Sequence, residues 1–140
     1  MWRLADHTAD VLLVVEARDW RELLVEAVRA FGAWTSGGQT GSLERVTTAT
    51  VAVDGADPVE TWVRWWRELH RLWTVEGLLP ADGRVTERSN PSAAAGTLFC
   101  LPREELDLTA CEDVKAVTWH GAEAAERDDG SWRGAIVLDV

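Results

Sequence analysis

Apolar runs and mixed segments alternate through the first half of the chain and predict two units, each a strand followed by a helix. The first run, VLLVVEA at residues 11–17, has little polar interruption and predicts a strand buried on both faces or nearly so. Asp19 follows as a helix N-cap, and Glu22 stands three residues later in the position of a capping box. Apolar residues then recur at helical spacing and predict an amphipathic helix that ends before the glycine-rich segment TSGGQTG: Trp20, Leu23, Leu24, Ala27, Val28 and Phe31.

The second unit repeats this order. The β-branched run VTTATVAV at residues 46–53 predicts a strand, and the Asp-Gly pair that follows it predicts a turn. Asp57 is placed to cap a second helix, with Pro58 at its first position and Glu60 in its first turn, where the helix dipole favours negative charge.

The apolar residues of this second helix fall on more than one face. Its main stripe predicts core positions: Val59, Trp62, Val63, Trp66, Leu69 and Trp73. Trp65 and Leu72 lie off that stripe, so the helix is predicted to be covered on two sides. Tryptophan is enriched at binding hot spots, and Trp65 is therefore the tryptophan of this helix that we expect at an interface.

The second half of the chain is predicted to be mostly β. It contains a Pro/Gly turn at LLPADG, a short RVTER, a loop at SNPSAAAG and the apolar TLFCL. The runs VKAVTWH and WRGAIVL, with a weaker strand at AEAAE and a turn at Asp129-Gly130 between them, predict a C-terminal hairpin. The whole chain, residues 1–140, is thus predicted to be one α+β domain in which two helices pack on mixed or antiparallel sheets.

Composition and charge narrow the functions that this fold could perform. The chain carries 46% hydrophobic and 27% charged residues with a net charge of −10, so its summed field repels nucleic acid and favours a protein surface or cations as partners. No apolar stretch is long enough to span a membrane, and the N-terminus lacks the features of a secretory signal, so a cytoplasmic location is expected. Cys100 and Cys111 have no metal-site or redox-motif spacing and are expected to be reduced, mostly buried thiols.

The common catalytic motifs are missing from the sequence. There is no dinucleotide-binding glycine motif, no P-loop, no nucleophile elbow and no HExxH, and the three histidines are widely spread. TSGGQTG follows a helix rather than a strand, so it is interpreted as a plain connector and not as a phosphate loop. The remaining candidates for chemistry are carboxylates at strand ends.

Two of these carboxylates flank the first and last long apolar strands. Asp10 immediately precedes the first strand and Asp139 ends the last one, so the two carboxylates would meet if those strands lie antiparallel and side by side. A close pair of carboxylates requires a cation, a proton or a basic partner, and Ca²⁺ or Mg²⁺ suits a set of oxygen ligands. Alternatively, Asp10 is only a turn or cap residue.

Lys115 is the only lysine among 14 basic Lys and Arg residues. A site that keeps lysine where the chain otherwise uses arginine favours a compact ammonium on a flexible stem. Equally, one lysine could persist on the surface by chance, and this pattern alone does not decide between the two interpretations.

Several of these segments together resemble the archease family. They are the N-terminal DHTADV, the REL at Arg67–Leu69, the run VKAVTWH at 114–120 and the terminal LDV. The resemblance extends along the whole chain in order, although residues 77–112 match poorly. Trp119 stands where the family usually has tyrosine, which keeps an aromatic ring but loses its hydroxyl.

The resemblance implies an accessory protein rather than an enzyme. Archeases assist the RNA-splicing ligase that uses GTP and divalent metal to join a 2′,3′-cyclic phosphate or 3′-phosphate end to a 5′-hydroxyl end. They promote guanylylation of the ligase's histidine and multiple turnovers. The family's metal site, in which calcium is often placed, implies ligands at Asp10, Asp139 and Val140. Three further residues are candidates for positions beside that site or in contact with the partner, with the alternative that each is only a structural side chain at a strand end: His7, Lys115 and His120.

Two alternatives from other classes of protein stay open at this point. One is a metal-dependent hydrolase of nucleotides or small phosphate esters, which would turn over substrate alone. The other is a chaperone-like module, which would bind many clients without depending on Asp10 or Asp139.

Overall fold

Two α-helices and seven β-strands form the fold in a computed structural model that describes residues 1–5, 10–42 and 44–140. In chain order the elements are β1 Trp2–Ala5, β2 Val11–Ala17, α1 Trp20–Thr35, β3 Thr47–Asp54, α2 Pro58–Thr74, β4 Leu78–Val85, β5 Ala93–Pro102, β6 Ala116–Glu126 and β7 Trp132–Asp139. Short 3₁₀ turns follow α1 and β5. None of the described helices is long and apolar enough to cross a membrane.

The strands form two sheets in which every described pairing is antiparallel. One sheet has the order β1-β2-β7-β6 and the other has the order β3-β5-β4. The predicted α+β class is therefore confirmed, and the sheets are antiparallel rather than mixed. The first and last long strands, β2 and β7, lie side by side in the middle of the four-stranded sheet.

Local capping signals set where the helices begin. The Asp19 carboxylate accepts a hydrogen bond from the backbone N–H of Glu22 at 2.8 Å, as the capping pattern predicted. Asp57 accepts one from the backbone N–H of Glu60 at 2.9 Å, and Pro58 opens α2. Both caps were predicted correctly because each depends on residues within one helical turn.

Large aromatic side chains fill the core between the helices and the sheets. Trp62 is fully buried, and its indole N–H donates to the carbonyl oxygen of Ala135 on β7 at 2.9 Å. A Cβ added at Gly134 would lie 2.5 Å from the Trp62 ring, so only glycine allows α2 to pack this closely on β7. Edge-to-face contacts of Trp66 with Trp62 and Phe31 connect α2 to α1.

Trp65 belongs to this core, which corrects the prediction that it would lie at an interface. Its side chain is fully buried, and its indole N–H donates to the carbonyl oxygen of Leu24 on α1 at 3.1 Å. Leu72, the other residue off the main stripe, is also buried. The predicted covering of α2 on two sides is therefore confirmed, because α1 and the two sheets together surround the helix.

The segment LLPADG is part of strand β4 and not a turn. β4 is an edge strand, where the missing N–H of Pro80 costs little, and the ladder with β5 shifts register between Pro80 and Asp82. The predicted loop SNPSAAAG also ends early, because β5 already begins at Ala93. Strand β1 was not predicted; it is only four residues long and pairs along the edge of β2.

The C-terminal hairpin is present, with AEAAE forming the second half of one long strand rather than a separate strand. β6 runs from Ala116 to Glu126 and pairs with β7. The predicted turn closes the hairpin: Gly130 has φ +87° and its N–H donates to the carbonyl oxygen of Arg127 at 2.9 Å. Glycine suits this position because other residues rarely adopt a positive φ.

Candidate functional site

The register between β2 and β7 places the two predicted carboxylates at the same end of the four-stranded sheet. Val11 pairs with Leu138, and the pairing continues without a shift along both strands to Ala17 and Trp132. Asp10 directly precedes Val11 and Asp139 directly follows Leu138, so the two aspartates lie at the same end of the β2–β7 ladder. Asp10 and Asp139 are each half-buried.

Strand β6 fixes Asp139 from its other side. Ala116 pairs with Asp139, and the backbone N–H of Lys115 donates to the carbonyl oxygen of Asp139 at 2.8 Å. Asp139 is thus held by β6 at the end of β7, the strand that lies between β2 and β6. This position restricts its backbone far more than a free chain end would be restricted.

The other predicted site residues differ in their position and in their exposure to solvent. Val140 follows Asp139 directly and is 39% exposed. Lys115 and His120 are exposed on β6 and the segment before it. His7 lies outside the described residues.

The donor set at this end of the sheet fits a hard cation only in part. No group of three or more His, Cys, Asp or Glu side chains able to hold a metal ion occurs within residues 1–5, 10–42 and 44–140. Two opposed carboxylates are suitable oxygen donors for Ca²⁺ or Mg²⁺. Asp10 and Asp139 would supply these two carboxylates. The remaining oxygen ligands would have to come from the main chain, water or a partner.

His70 anchors the segment that leads into β6, a role that the sequence analysis missed. Its Nε2 lies 2.7 Å from the carbonyl oxygen of Val114, so Nε2 carries the proton and donates. Val114 is buried beneath it. The contact links α2 to the residue before Lys115 and so helps to position the backbone that holds Asp139.

A second feature near this site is an irregularity in β6. Thr118 pairs with Val137 and Glu123 pairs with Ala135, so the four residues 119–122 of β6 face a single residue of β7. Gly121 within this bulge has φ +77°, which favours glycine. Trp119 is 45% exposed, and the guanidinium carbon of Arg67 on α2 lies 5.7 Å from the centre of its ring. Such a bulge aims side chains away from the regular sheet.

The two cysteines take no part in the site. Both are free thiols, as predicted. Cys100 is fully buried in the core, and burial raises the pKa of its thiol to about 11. Cys111 is half-buried after the last 3₁₀ turn.

Fold and site together define a small α+β protein of two antiparallel sheets, with an acidic pair where its first and last long strands meet. The chain belongs to the archease family, because the family model described as "Archease protein family" matches residues 2–140. The resemblance carried by HTAD, VKAVTWH and the terminal LDV is therefore confirmed.

Individual relatives agree with this assignment. The chain is 30% identical to the protein archease of Methanopyrus kandleri over 142 aligned positions that cover 99% of each protein. It is 27% identical to the protein archease of Aeropyrum pernix, covering 99% of this chain and 96% of the relative. The solution structure of Methanobacterium thermoautotrophicum protein 1598 has the same fold, with a TM-score of 0.77 at 22% identity and coverage of 99% and 98% of the two chains.

Proposed function

We propose that this protein activates a GTP-dependent RNA-splicing ligase and that the acidic pair Asp10 and Asp139 is the centre of that activity. Membership of the archease family supports the accessory role, since it implies association with such a ligase. The single structural observation that supports the site is the β2–β7 register, which ends at Val11 and Leu138 and so puts Asp10 and Asp139 at the same end of one sheet although 128 residues lie between them in the chain.

In this proposal the acidic pair holds a divalent cation. Asp10 and Asp139 would each contribute a carboxylate, and Val140 a main-chain or terminal oxygen. Ca²⁺ takes roughly six to eight oxygens, so this set leaves positions for water or for groups of the ligase. The bound cation would supply positive charge beside a phosphate group. Ca²⁺ is the expected occupant in a structure, and Mg²⁺ or Mn²⁺ would also suit the role.

The protein's own residues would bind the cation and orient it. The antiparallel ladder ends beside both carboxylates and would hold them near each other, and their half-buried setting would strengthen their attraction for a cation over that of fully exposed groups. We propose that this acidic rim docks at the ligase's metal and nucleotide site and promotes guanylylation of the ligase histidine. The Lys115 ammonium would offset phosphate charge there, and His7 and His120 would serve as neighbouring polar groups.

The same proposal makes the protein an accessory factor without its own catalytic reaction. Direct, stable binding of RNA is not expected, because the net charge is −10. A cytoplasmic location agrees with the two free thiols, which suit a reducing compartment.

Guanylylation of the ligase is the step that tests this function. Ligase and labelled GTP would be mixed with the wild-type protein, with Asp139→Asn, or with Glu126→Gln as a matched control. Glu126 is an exposed carboxylate at the opposite end of β6, so its neutralisation removes the same charge away from the site. The proposal predicts faster guanylylation with wild type and Glu126→Gln but not with Asp139→Asn.

Other outcomes would contradict specific parts of the proposal. Equal activation by all three proteins would reject the role of Asp139. Hydrolysis of GTP by the protein alone would favour a hydrolase. Full activation by a variant lacking Val140 would exclude that residue as a required ligand.

A further inference from the structure

Strand β3 has an outer edge that lacks the features by which edge strands are usually protected from pairing. An edge strand presents a row of unpaired N–H and C=O groups, and shortness, proline, charge, a bulge or a covering element normally prevents another chain from pairing with it. β3, Thr47–Asp54, is eight residues long and pairs with β5 alone, without a register shift. It has no proline and no charged side chain before Asp54. The edge is therefore suited to accept another strand.

The other three edge strands of the described sheets each have a protective feature. β1 is only four residues long and carries Arg3. β4 contains Pro80 with a register shift, and α1 packs against it. β6 has the bulge at residues 119–122, and Arg67 donates to the carbonyl oxygen of Val117 at 3.5 Å. Within the described sheets, β3 is thus the edge that remains open to pairing.

The hydrogen-bond pattern shows which residues of β3 point their backbone groups outward. The N–H of Gly55 donates to the carbonyl oxygen of Ser92 at 3.0 Å, one step beyond the pair Asp54 and Ala93. Hydrogen-bonded and non-hydrogen-bonded pairs alternate in an antiparallel ladder, so every second residue from Asp54 backwards points its N–H and C=O away from β5: Asp54, Ala52, Thr50 and Thr48. Arg64 of α2 donates to the Asp54 carbonyl oxygen at 2.9 Å, as this pattern requires. The side chains of all four residues are exposed, so an incoming strand can reach the backbone of the first three positions of this set from the N-terminal end.

Charge indicates which strand fits this edge. The protein has a net charge of −10, so two copies repel unless they meet where carboxylates are absent, and residues 47–53 form such a segment. The groove between β3 and α2 does not select a charged peptide, because two of its three arginines already pair with two carboxylates each: Arg64 with Asp54 and Glu60, and Arg71 with Glu68 and Glu76. An uncharged strand rich in β-branched residues, such as β3 itself, therefore suits this edge.

We propose that a second copy of this chain pairs with β3, antiparallel and about a two-fold axis at Thr50. In this register Thr50 lies opposite the same residue of the second copy and Thr48 lies opposite its Ala52, so the outward backbone groups of one copy meet those of the other. The same edge serves both copies, as in most homodimers. The two three-stranded sheets then form one sheet of six strands. Such a dimer is independent of the ligase-activating role, since the acidic pair lies on the other sheet.

Sedimentation equilibrium of the full chain over a range of protein concentrations tests this dimer. Wild type should change from monomer to dimer as its concentration rises, and added salt should favour the dimer because it screens the repulsion between two negatively charged copies. Thr50→Lys should weaken dimerisation about tenfold or more, since it sets two ammonium groups opposite each other at the axis. Two controls should dimerise like wild type. Thr50→Val keeps the edge uncharged, and Asp128→Asn changes the net charge by the same amount in the exposed β6–β7 turn.

Amide hydrogen exchange of the wild-type protein locates the contact without any variant. The amides of Thr48, Thr50 and Ala52 should exchange fast in dilute protein and slowly in concentrated protein, because only the dimer gives them a hydrogen-bond acceptor. The amides of Ala49 and Val51 should be protected at both concentrations, since the alternation of the ladder directs them to β5.

Three outcomes would overturn the dimer. Wild type that stays monomeric up to about 1 mM would show that the edge does not pair with itself. Dimerisation of Thr50→Lys with wild-type affinity would place the contact elsewhere on the surface. A monomeric wild type whose binding to the ligase is lost in Thr50→Lys would assign the edge to a strand of the ligase instead of a second copy.

Discussion

Neutralising Asp139 should affect stability in opposite directions with and without a divalent cation. Asp10 and Asp139 flank the last pair of the β2–β7 ladder, Val11 and Leu138. In the proposed site their carboxylates lie close together, and Coulomb repulsion between two unit charges about 5 Å apart in a water-like medium is about 0.8 kcal/mol. In the presence of a chelator, Asp139→Asn should therefore be as stable as wild type or up to about 1 kcal/mol more stable.

A divalent cation should reverse this order. Wild type at a cation concentration one hundred times its Kd gains about 2.7 kcal/mol, which raises Tm by about 5–10 °C for a protein of this size. If the variant's Kd is about thirtyfold weaker, the same concentration is only about three times Kd and the gain falls to about 0.8 kcal/mol. Wild type should then be the more stable protein.

Thermal unfolding in chelator and in a Ca²⁺ or Mn²⁺ titration measures both effects. Glu126→Gln serves as the control for the loss of one charge and should respond to the cation like wild type. Equal cation-dependent shifts in wild type and Asp139→Asn would refute the reasoning. So would a large loss of stability of Asp139→Asn in chelator, because the carboxylate would then have a structural role in the metal-free protein.

Three further predictions concern packing, capping and thiol chemistry. Gly134→Ala should destabilise the protein by about 1–3 kcal/mol in urea unfolding, since its Cβ would lie 2.5 Å from the Trp62 ring; an unchanged midpoint would contradict this packing. Asp19→Ala should cost about 1 kcal/mol in the same assay through loss of the α1 cap, and no loss would show that the cap contributes little. In native protein at pH 8, a thiol reagent should modify Cys111 well before the buried Cys100, whose pKa of about 11 leaves little thiolate; peptide mapping that finds Cys100 modified first would refute this.

Local signals explain why the first half of the fold could be predicted closely. Strand β2 has the predicted bounds, and the caps at Asp19 and Asp57 depend on residues within one turn. Strand β4 could not be recognised in this way, because Pro80 in a Pro/Gly-containing segment is typical of a turn. Pro80 is acceptable in a strand only at an edge with a register shift, and the order of strands in a sheet is a non-local property.

The candidate site shows the same division between local and non-local information. Asp10 and Asp139 could be recognised as carboxylates at strand ends, but their pairing depends on the contact between β2 and β7, which are distant in sequence. Trp65 was misassigned because its position off the main stripe does not reveal whether another helix or a partner covers it, and its contact with Leu24 of α1 is non-local. The exposure of Trp119 depends on the bulge in β6, and no short motif in VKAVTWH predicts that irregularity.

Multiple-turnover RNA ligation by the source's own splicing ligase tests the central claim most directly. Ligation would be measured without this protein, with wild type, and with Asp10→Ala, Asp139→Ala or Glu126→Gln. The account predicts strong activation by wild type and Glu126→Gln and its loss in both aspartate variants. No activation by wild type of a ligase that is active in single turnover would contradict the account.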